Sequence, residues 1–456
     1  MNPSAIVRLR QLDKAHLWHP FTAQKDWAES DPLVIERGEG IYLFDTEGRR
    51  YIDGVSSLWC NVHGHRHPAL DGAVRAQLDE VAHSTLLGVT NPTAIELARR
   101  LVEVAPDGLT RVFFSDDGAT AVEVALKMAF QYWRQKARPE PKRSRFLALG
   151  DAYHGDTLGD ASVGGIGRFH DLFQPLLFPV LRAPSPHCYR CPLGLGRPDC
   201  ATACLGEIET LLARHAGEVA AVVVEPLVQM AAGVLVHPEG YLRGLRELCD
   251  RYETLLILDE VAVGFGRTGR LFACEHESVR PDFLCLAKGL TGGYLPLAAT
   301  LTTEAIHSAF VGTASDPKTF YHGHTYCGNP LGAAVALANL RVFEDERTLE
   351  RMAPKIDLLR RRLADFAALP HVGDVRQRGL IGGIELVADK ASKARHPWSE
   401  QVGVRVCRRA RDFGLLIRPL GDVIVILPPL SITVEQLGEM LDVIGRCIVE
   451  VTGRDG

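Results

Sequence analysis

Short apolar runs that alternate with helical patterns are the feature that most constrains the fold of this chain. Five of them stand in RVFFSDDG, RFLALGDAYHG, VAAVVVEPLVQ, TLLILDE and DFLCLAKG. Strands that are apolar on both faces are typical of a mostly parallel sheet covered by helices. The sequence therefore predicts an α/β fold, in which functional residues follow the carboxyl ends of the strands.

The pattern changes on both sides of this region, which predicts further units. Residues 331–456 combine a long amphipathic stretch with strand-like runs such as LLIRPLGDVIVILPP, as expected for a smaller α+β domain. Residues 1–60 contain the strand-like piece GIYLFDTEGRRYIDG, and we expect them to pack with that C-terminal domain. Residues 61–330 would then form the large domain.

Composition excludes some classes of function. The 456 residues include 51 Lys and Arg against 56 Asp and Glu, a net charge of −5, which argues against a nucleic-acid or anionic-membrane partner. We find neither a secretory h-region at the N-terminus nor an apolar stretch near the roughly 18 residues of a membrane span. Isolated cysteines such as Cys249, Cys285 and Cys407 are typical of a reducing compartment. We therefore expect a cytoplasmic enzyme.

The stretch LLILDEVAVGFGRTG, residues 255–269, ends in G-x-G-x-x-G, the pattern of a dinucleotide-binding turn. That turn needs its glycines directly after the strand, whereas here the acidic pair Asp259 and Glu260 intervenes and would repel phosphates. The next apolar run ends near Lys288, where the dinucleotide pattern needs an acid for the ribose. The sequence therefore disfavours a nicotinamide-dependent oxidoreductase.

Three charged residues close apolar runs of this sheet: Glu225, Asp259 and Lys288. Strand ends of a parallel sheet converge on one crevice. A lysine amine and a buried carboxylate that face each other across an aromatic ring suit pyridoxal phosphate (PLP). The amine forms a Schiff base with the aldehyde, and the carboxylate keeps the ring nitrogen protonated. Taken singly, such residues are more often a surface lysine and a helix-capping aspartate.

Longer motifs resemble a known family. LILDEVAVGFGRTG and PDFLCLAKGLTGG resemble the class III, fold-type I, PLP-dependent aminotransferases, and the resemblance covers nearly the whole chain. HLWHPFT, YHGDTLG and HGHTYCGNP are similar to the branch that acts in biotin biosynthesis. The resemblance implies a homodimer that transaminates 8-amino-7-oxononanoate to 7,8-diaminononanoate. The amino donor would be S-adenosylmethionine, with lysine as the second choice.

The resemblance also implies the residues around the cofactor ring. Lys288 forms the Schiff base and then moves the substrate proton, and Asp259 pairs with the ring nitrogen. Tyr153 stacks on one face of the ring, and Val261 packs on the other. Tyr153 and Lys288 would also contact the substrate, and these two residues with Asp259 form the predicted catalytic set.

The phosphate group and the phenolic oxygen of the cofactor have predicted partners of their own. SDDGATAVE reads as a strand-to-helix turn in which the backbone N–H groups of Gly118 and Ala119 point at an anion. The resemblance adds Thr325 of the partner subunit to this phosphate site. It also implies that Glu225 and Gln229 lie near the phenolic oxygen of the cofactor.

The substrate pocket is implied by position within the family. Phe21, Leu58, Trp59 and His324 would line it, and Arg418 would hold the carboxylate of the long substrate through its fork of N–H donors. Phe21 and Leu58 stand where the best-known members have a tyrosine and a tryptophan. These departures leave the donor open, with an ω-amino-acid or diamine:pyruvate transaminase as the alternative function.

Two patterns suggest metals without entering this chemistry. Cys188-x2-Cys191 and Cys200-x3-Cys204 have the spacing of a tetrathiolate zinc site, but a surface loop with reduced thiols explains them as well. A binding protein that a metal stabilises is therefore a further alternative.

VHGHRHP offers three histidines: His63, His65 and His67. Alternate residues of an extended segment point to opposite faces, so the three rings cannot share one ion. We therefore predict no metal in the active site.

Overall fold

The computed structural model describes residues 2–196 and 199–453. Its strands are β1 (Ile35–Glu39), β2 (Tyr42–Asp45), β3 (Arg50–Asp53), β4 (Leu109–Ser115), β5 (Arg145–Leu149), β6 (Leu181–Ala183), β7 (Val219–Val224), β8 (Val228–Gln229), β9 (Leu235–Val236), β10 (Leu255–Asp259), β11 (Phe283–Leu286), β12 (Ala298–Thr303), β13 (Val372–Arg378), β14 (Ile381–Leu386), β15 (Leu415–Leu416), β16 (Pro419–Leu420) and β17 (Val423–Ile426).

The helices connect and cover these strands. They are α1 (Pro3–His16), α2 (Gln24–Glu29), α3 (Ser56–Trp59), α4 (Pro68–Glu80), α5 (Pro92–Val104), α6 (Gly118–Gln135), α7 (Leu158–Val163), α8 (Gly167–His170), α9 (Ala203–Arg214), α10 (Tyr241–Arg251), α11 (Glu304–Ser308), α12 (Pro330–Asp345), α13 (Ala353–Ala367), α14 (Val402–Arg411) and α15 (Val434–Thr452). Short 3₁₀ turns lie at Asp171–Leu176, Ala273–Glu277, Lys288–Thr291, Glu350–Met352 and Trp398–Glu400.

The large sheet has the order β4-β12-β11-β10-β7-β5-β6. Its central pairs, β10 with β7 and β11, and β5 with β6 and β7, are parallel, whereas β12 runs antiparallel to β11 and β4. Alternate residues of β10 enter two different cores, with Leu256 and Leu258 on one face and Leu255 and Ile257 on the other. The predicted α/β fold with a mostly parallel, covered sheet is confirmed.

The two-stranded sheet β8-β9 and two four-stranded sheets complete the fold. One has the order β13-β14-β17-β16, and its pairs are antiparallel. The other joins β1, β2 and β3 to β15 through a parallel pair between β3 and β15. Strands from residues 1–60 therefore pair with a strand from residues 331–456. The domain limits at 60 and 330 stay a prediction, and residues 454–456 of the last domain lie outside the described part.

The described helices include none whose length and apolarity would let it cross a membrane.

A buried arginine ties these units together. Arg267 follows β10, and its side chain is almost fully buried. It donates hydrogen bonds to the carbonyl oxygens of Pro428 (2.8 Å) and Asn61 (2.8 Å) and to the hydroxyl of Ser56 (3.3 Å). Burial lowers the pKa of Arg267 to about 10, so the guanidinium stays charged at neutral pH. One cation thus bonds segments from both ends of the chain.

We expect the substitution Arg267→Met to lower the free energy of unfolding by about 2–4 kcal/mol, because it leaves buried oxygens without a donor. Urea denaturation followed by tryptophan fluorescence measures this change. Arg270→Met is the matched control, since Arg270 is exposed and three residues away. A loss equal to that of the control, within about 0.5 kcal/mol, would contradict the bracing role.

Candidate active site

A cavity of about 720 Å³ opens where the strands of the large sheet end. Its lining includes eight of the residues predicted from the sequence: Trp59, Gly118, Ala119, Tyr153, Glu225, Asp259, Val261 and Lys288. Lys288 and Asp259 therefore share one cavity, which is the arrangement that the strand ends predicted.

Asp259 is the last residue of β10, and its carboxylate is buried. Its Oδ2 lies 2.8 Å from Nδ1 of His154, and its Oδ1 accepts a hydrogen bond of 3.0 Å from the backbone N–H of Val261. With its Nδ1 protonated, His154 donates to the carboxylate and fixes its orientation. No pattern in the sequence predicts this role of His154, although the residue stands next to Tyr153 in the YHGDT motif.

The neighbouring acid, Glu260, serves a different purpose from Asp259. Its two carboxylate oxygens accept hydrogen bonds from the backbone N–H groups of Ala273 (2.6 Å) and Cys274 (2.8 Å) at the start of a 3₁₀ turn. Glu260 is buried and is not part of the cavity lining. The acidic pair therefore divides into one cavity residue and one capping residue.

Lys288 lies two residues beyond β11, in a backbone conformation with φ of 43°. Its Nζ is 5.4 Å from the ring centroid of Trp59. Burial lowers the pKa of Lys288 below its ordinary value, while the negative charges of Asp259 and Glu225 oppose this change. The site thus favours a neutral amine more than water does.

Glu225 follows β7 and is also buried. Its two oxygens accept hydrogen bonds from the backbone N–H groups of Tyr153 (3.1 Å) and Met230 (2.9 Å). Burial raises the pKa of Glu225 to about 7. The predicted companion, Gln229, is not in the cavity lining. Its amide bonds instead to the hydroxyl of Ser185 (2.9 Å) and the carbonyl of Gly150 (2.8 Å).

The turn from β4 into α6 forms a cup at another wall of the cavity. Asp117 caps the helix, because its Oδ1 accepts a hydrogen bond of 2.9 Å from the backbone N–H of Thr120. In return, the Thr120 hydroxyl accepts a hydrogen bond of 3.0 Å from the backbone N–H of Asp117. The N–H groups of Gly118 and Ala119 have no acceptor within the helix, so they can bind an anion. A side chain at Gly118 would collide with Val261, because a Cβ there would lie 2.5 Å from its Cγ1.

Tyr153 is half-buried at the cavity wall. Its hydroxyl donates a hydrogen bond of 2.8 Å to Asp156, and its ring meets Phe169 edge-on at 5.9 Å. Phe169 in turn meets Phe21 edge-on at 5.2 Å. A row of aromatic rings therefore leads from the cavity to Phe21, which is 55% exposed.

Leu58 and Trp59 lie on a left-handed turn. All four residues of α3 have positive φ, between 41° and 73°. Asp53 stabilises the turn, because its carboxylate accepts two hydrogen bonds from Ser57. One comes from the backbone N–H (2.9 Å) and the other from the hydroxyl (2.7 Å). Trp59 is thereby buried in the cavity wall, while Leu58 is exposed and lies outside the lining. Such strained backbone is common at binding sites.

His324 and Thr325 belong to a loop outside the cavity lining. Nδ1 of His324 lies 2.8 Å from Oδ2 of Asp116, and its N–H donates to Sγ of Cys327 at 3.2 Å. Asp116 is itself a lining residue, so the loop lies close to the cup. Thr325 is exposed.

Arg418 connects β15 to β16 and is exposed. It lies outside the lining of the cavity. The backbone next to Arg418 contacts the segment that leads to Trp59. In this contact, the N–H of Gly54 donates a hydrogen bond of 2.9 Å to the carbonyl of Leu416.

The histidines of VHGHRHP have separate surroundings. His63 packs edge-on against Phe343 at 4.8 Å, and burial lowers its pKa to about 4. His65 bonds to Asp53 at 3.0 Å, and His67 bonds to Glu346 at 2.9 Å.

Pyridoxal phosphate fits the residues of the cavity. Lys288 provides an amine for its aldehyde, and Asp259 provides a carboxylate for its ring nitrogen. The cup at Gly118 and Ala119 provides free N–H groups for its phosphate.

Comparisons with known proteins agree with this chemistry. The family model for aminotransferase class-III matches residues 23–448. The chain is 57% identical over 455 residues to the adenosylmethionine-8-amino-7-oxononanoate aminotransferase of Nitratidesulfovibrio vulgaris, a match that covers 99% of this chain and 84% of that protein.

Solved structures extend the likeness to the fold. The crystal structure of adenosylmethionine-8-amino-7-oxononanoate aminotransferase from Methanocaldococcus jannaschii has a TM-score of 0.93 at 44% identity, over 98% of this chain and 99% of that one. A PLP-bound amine transaminase from an uncultivated Pseudomonas species has a TM-score of 0.91 at 38% identity, over 96% and 99% of the two chains. The match over the whole chain excludes the nicotinamide-dependent alternative, and the chain belongs to the class-III aminotransferases, which work with pyridoxal phosphate.

Proposed function

We propose that this aminotransferase converts 8-amino-7-oxononanoate to 7,8-diaminononanoate, a step of biotin biosynthesis, with S-adenosylmethionine as amino donor and lysine as the second choice. The observation that carries the proposal is that Lys288, Asp259 and the cup at Gly118 line one cavity. The specific substrate is supported by the relative of that name at 57% identity over 99% of this chain.

Bound in this cavity, pyridoxal phosphate supplies an aldehyde for the amino group and a cationic ring that stabilises negative charge on the substrate carbon. Asp259, held by His154, keeps a proton on the ring nitrogen. Gly118 and Ala119 bind the phosphate through backbone N–H groups. Tyr153 and Val261 would flank the ring, and Glu225 would lie on the side of the phenolic oxygen.

Lys288 carries the proton between substrate atoms. This task requires a neutral amine close to the reacting carbon. Burial supports it, because it lowers the pKa of Lys288. Trp59 forms the wall beside the amine and limits the access of water.

The proposed enzyme is a homodimer whose cup is completed by a second copy of this chain. Thr325 supports this arrangement, since its side chain is exposed and its loop is fixed near the cup by the contact between His324 and Asp116. A hydroxyl from the partner subunit would add a donor for the phosphate that the cup of one chain lacks. His324 would line the substrate pocket from the same loop.

The long substrate would extend from Lys288 towards the exposed end of the site. Leu58, Trp59 and Tyr153 offer apolar contacts for its chain, and Arg418 offers a partner for its carboxylate. Phe21 extends the aromatic row that begins at Tyr153. These residues would select the substrate without touching the ring nitrogen or the phosphate.

A second candidate function is the transamination of ω-amino acids or diamines with pyruvate. The amine transaminase with a TM-score of 0.91 favours this alternative, because it has the same fold at 38% identity. Phe21 and Leu58 depart from the tyrosine and tryptophan of the best-known biotin-pathway members, which also leaves room for another donor.

Separate half-reactions distinguish the two functions. We expect S-adenosylmethionine, and less strongly lysine, to bleach the visible absorbance of the purified holoenzyme, because the amino group moves to the cofactor. Adding 8-amino-7-oxononanoate should then restore the absorbance and yield 7,8-diaminononanoate, detected by mass spectrometry. Bleaching by β-alanine or simple diamines alone, with recovery by pyruvate, would establish the second candidate instead.

The pH dependence of the donor half-reaction reports on Lys288. Because only the neutral amine accepts a proton and burial lowers its pKa, we expect the rate to rise with pH and to level off below the ordinary lysine value of 10.5. Glu225→Gln removes a negative charge that favours the ammonium form, so the midpoint should move to lower pH. Stopped-flow absorbance measures both profiles. The exposed control Glu304→Gln should leave the midpoint unchanged, and a midpoint at or above 10.5 would refute the assignment.

Arg418→Leu tests the binding of the distant carboxylate. We expect the KM for 8-amino-7-oxononanoate to rise about tenfold or more, since a charged hydrogen bond is lost, while the donor half-reaction keeps its rate. Steady-state kinetics with each substrate varied in turn measure this difference. Arg408→Leu on α14 serves as the exposed control and should change neither value. An equal loss in both half-reactions would show that Arg418 is not specific for the acceptor.

A further inference from the structure

The loop between β6 and α9, together with the first turn of α9, carries two pairs of cysteines. Cys188 and Cys191 stand near its beginning, and Cys200 and Cys204 stand at its end, where α9 starts. All four residues line the same small pocket of about 20 Å³, which has room for one or two groups the size of a water molecule. The fold therefore brings together two pairs that are separated in the sequence.

The chemistry of this pocket suits a thiophilic cation. All four cysteines are partly buried and outside any disulfide bond. Among the residues that the structure describes, the pocket lining includes no carboxylate and combines the cysteines with His187, proline, leucine and small residues. Two Cys pairs with spacings of two and three residues are the usual ligand set of a structural zinc site. Hard cations such as Ca²⁺ or Mg²⁺ would find no carboxylate ligand among these lining residues.

His187 also lines the pocket, but its ring is already engaged. Its Nε2 lies 3.3 Å from NH1 of Arg376. A guanidinium can only donate, so Nε2 is the acceptor and the neutral ring carries its proton on Nδ1. Neither nitrogen then has a free lone pair for a metal, and the ligand set is sulfur alone.

We propose that Cys188, Cys191, Cys200 and Cys204 bind one Zn²⁺ ion. Binding displaces four thiol protons and forms four zinc–sulfur bonds without any change of oxidation state. Cys204 is the second residue of α9, a helix of 12 residues, so the proposed site joins the loop to the start of this helix.

Zinc would also tighten the site. Among the residues that the structure describes, the group whose possible ligand atoms all lie within 4.8 Å is Asp116, His324 and Cys327. No three of the loop sulfurs are therefore that close. Tetrahedral zinc with bonds of about 2.3 Å holds its sulfurs about 3.8 Å apart. Zinc binding would therefore have to draw these sulfurs closer together.

The ion would fix a loop that bridges two sheets. Between the first two cysteines, Arg190 forms an ion pair of 2.6 Å with Glu385 on β14. The carbonyl of Tyr189 accepts a hydrogen bond of 2.8 Å from Nζ of Lys393. At the start of the loop, Ser185 bonds to Gln229 beside the large sheet. A zinc ion at the loop base would therefore stabilise the contact between the large sheet and the sheet of β13 and β14.

Metal analysis of the holoenzyme tests this proposal. After incubation with Zn²⁺ and dialysis, we expect about one zinc ion per chain by plasma mass spectrometry. A Cys188→Ser, Cys204→Ser double variant, which removes one ligand from each pair, should retain little zinc and unfold at a lower temperature. Cys447→Ala is the matched control, because Cys447 is buried in α15 outside the pocket, and it should keep the full zinc content.

A second measurement does not depend on the folding of a variant. Wild-type protein stripped by a chelator and loaded with Co²⁺ should show the visible ligand-field bands and sulfur-to-metal charge transfer of a tetrahedral thiolate site. Zinc should also protect four thiols from Ellman's reagent. A wild-type protein that binds neither metal, or that holds these cysteines as disulfides, would overturn the proposal, as would full retention of zinc by the double variant.

Discussion

The buried carboxylate of Asp259 is the constraint on which the rest of the site depends. A carboxylate away from water is costly unless other groups compensate its charge. Here a ring nitrogen of His154 and the backbone N–H of Val261 provide two hydrogen bonds. The remaining side of the carboxylate faces the cavity that contains Lys288. The sheet thus positions a negative charge at a strand end and leaves one direction in which a cationic ring can complete its environment.

The end of β10 also explains how two adjacent acids can have unrelated roles. Successive residues of a strand point to opposite faces. Asp259 therefore points to the cavity, whereas Glu260 caps the 3₁₀ turn on the other side. The glycines after them form turns in place of a phosphate-binding helix start, and the arginine among them, Arg267, binds carbonyls from both ends of the chain.

Sequence patterns could predict those parts of the site that local structure determines. An apolar strand followed by a charged residue fixes the place of Glu225, Asp259 and Lys288, because the carboxyl ends of neighbouring strands meet. The start of α6 was equally predictable from its capping residues. Family resemblance placed Gln229 beside the cofactor, but Ser185 and Gly150 use its amide. Those partners lie far away in the sequence, so no local pattern could indicate them.

Other features depend on tertiary contacts and could not be predicted. The left-handed turn of α3 is held by Asp53 and by a hydrogen bond of 2.5 Å from the hydroxyl of Ser56 to the carbonyl of Leu427. The long amphipathic stretch after residue 330 is two helices, α12 and α13, because the chain leaves the helical path between them and forms a 3₁₀ turn at Glu350–Met352.

In the proposed enzyme, the residues of the reaction and the residues of substrate selection would differ in burial. Asp259 and Glu225 are buried, whereas Phe21, Leu58 and Arg418 are exposed. Substitutions at exposed positions rarely disturb packing, so they can change with little effect on stability. Asp259 and Glu225 both act on the pKa of Lys288, so a change at either carboxylate alters the pKa of that amine. In the proposed enzyme, substitutions at these exposed residues would therefore change substrate selection while the chemistry at the strand ends stays the same.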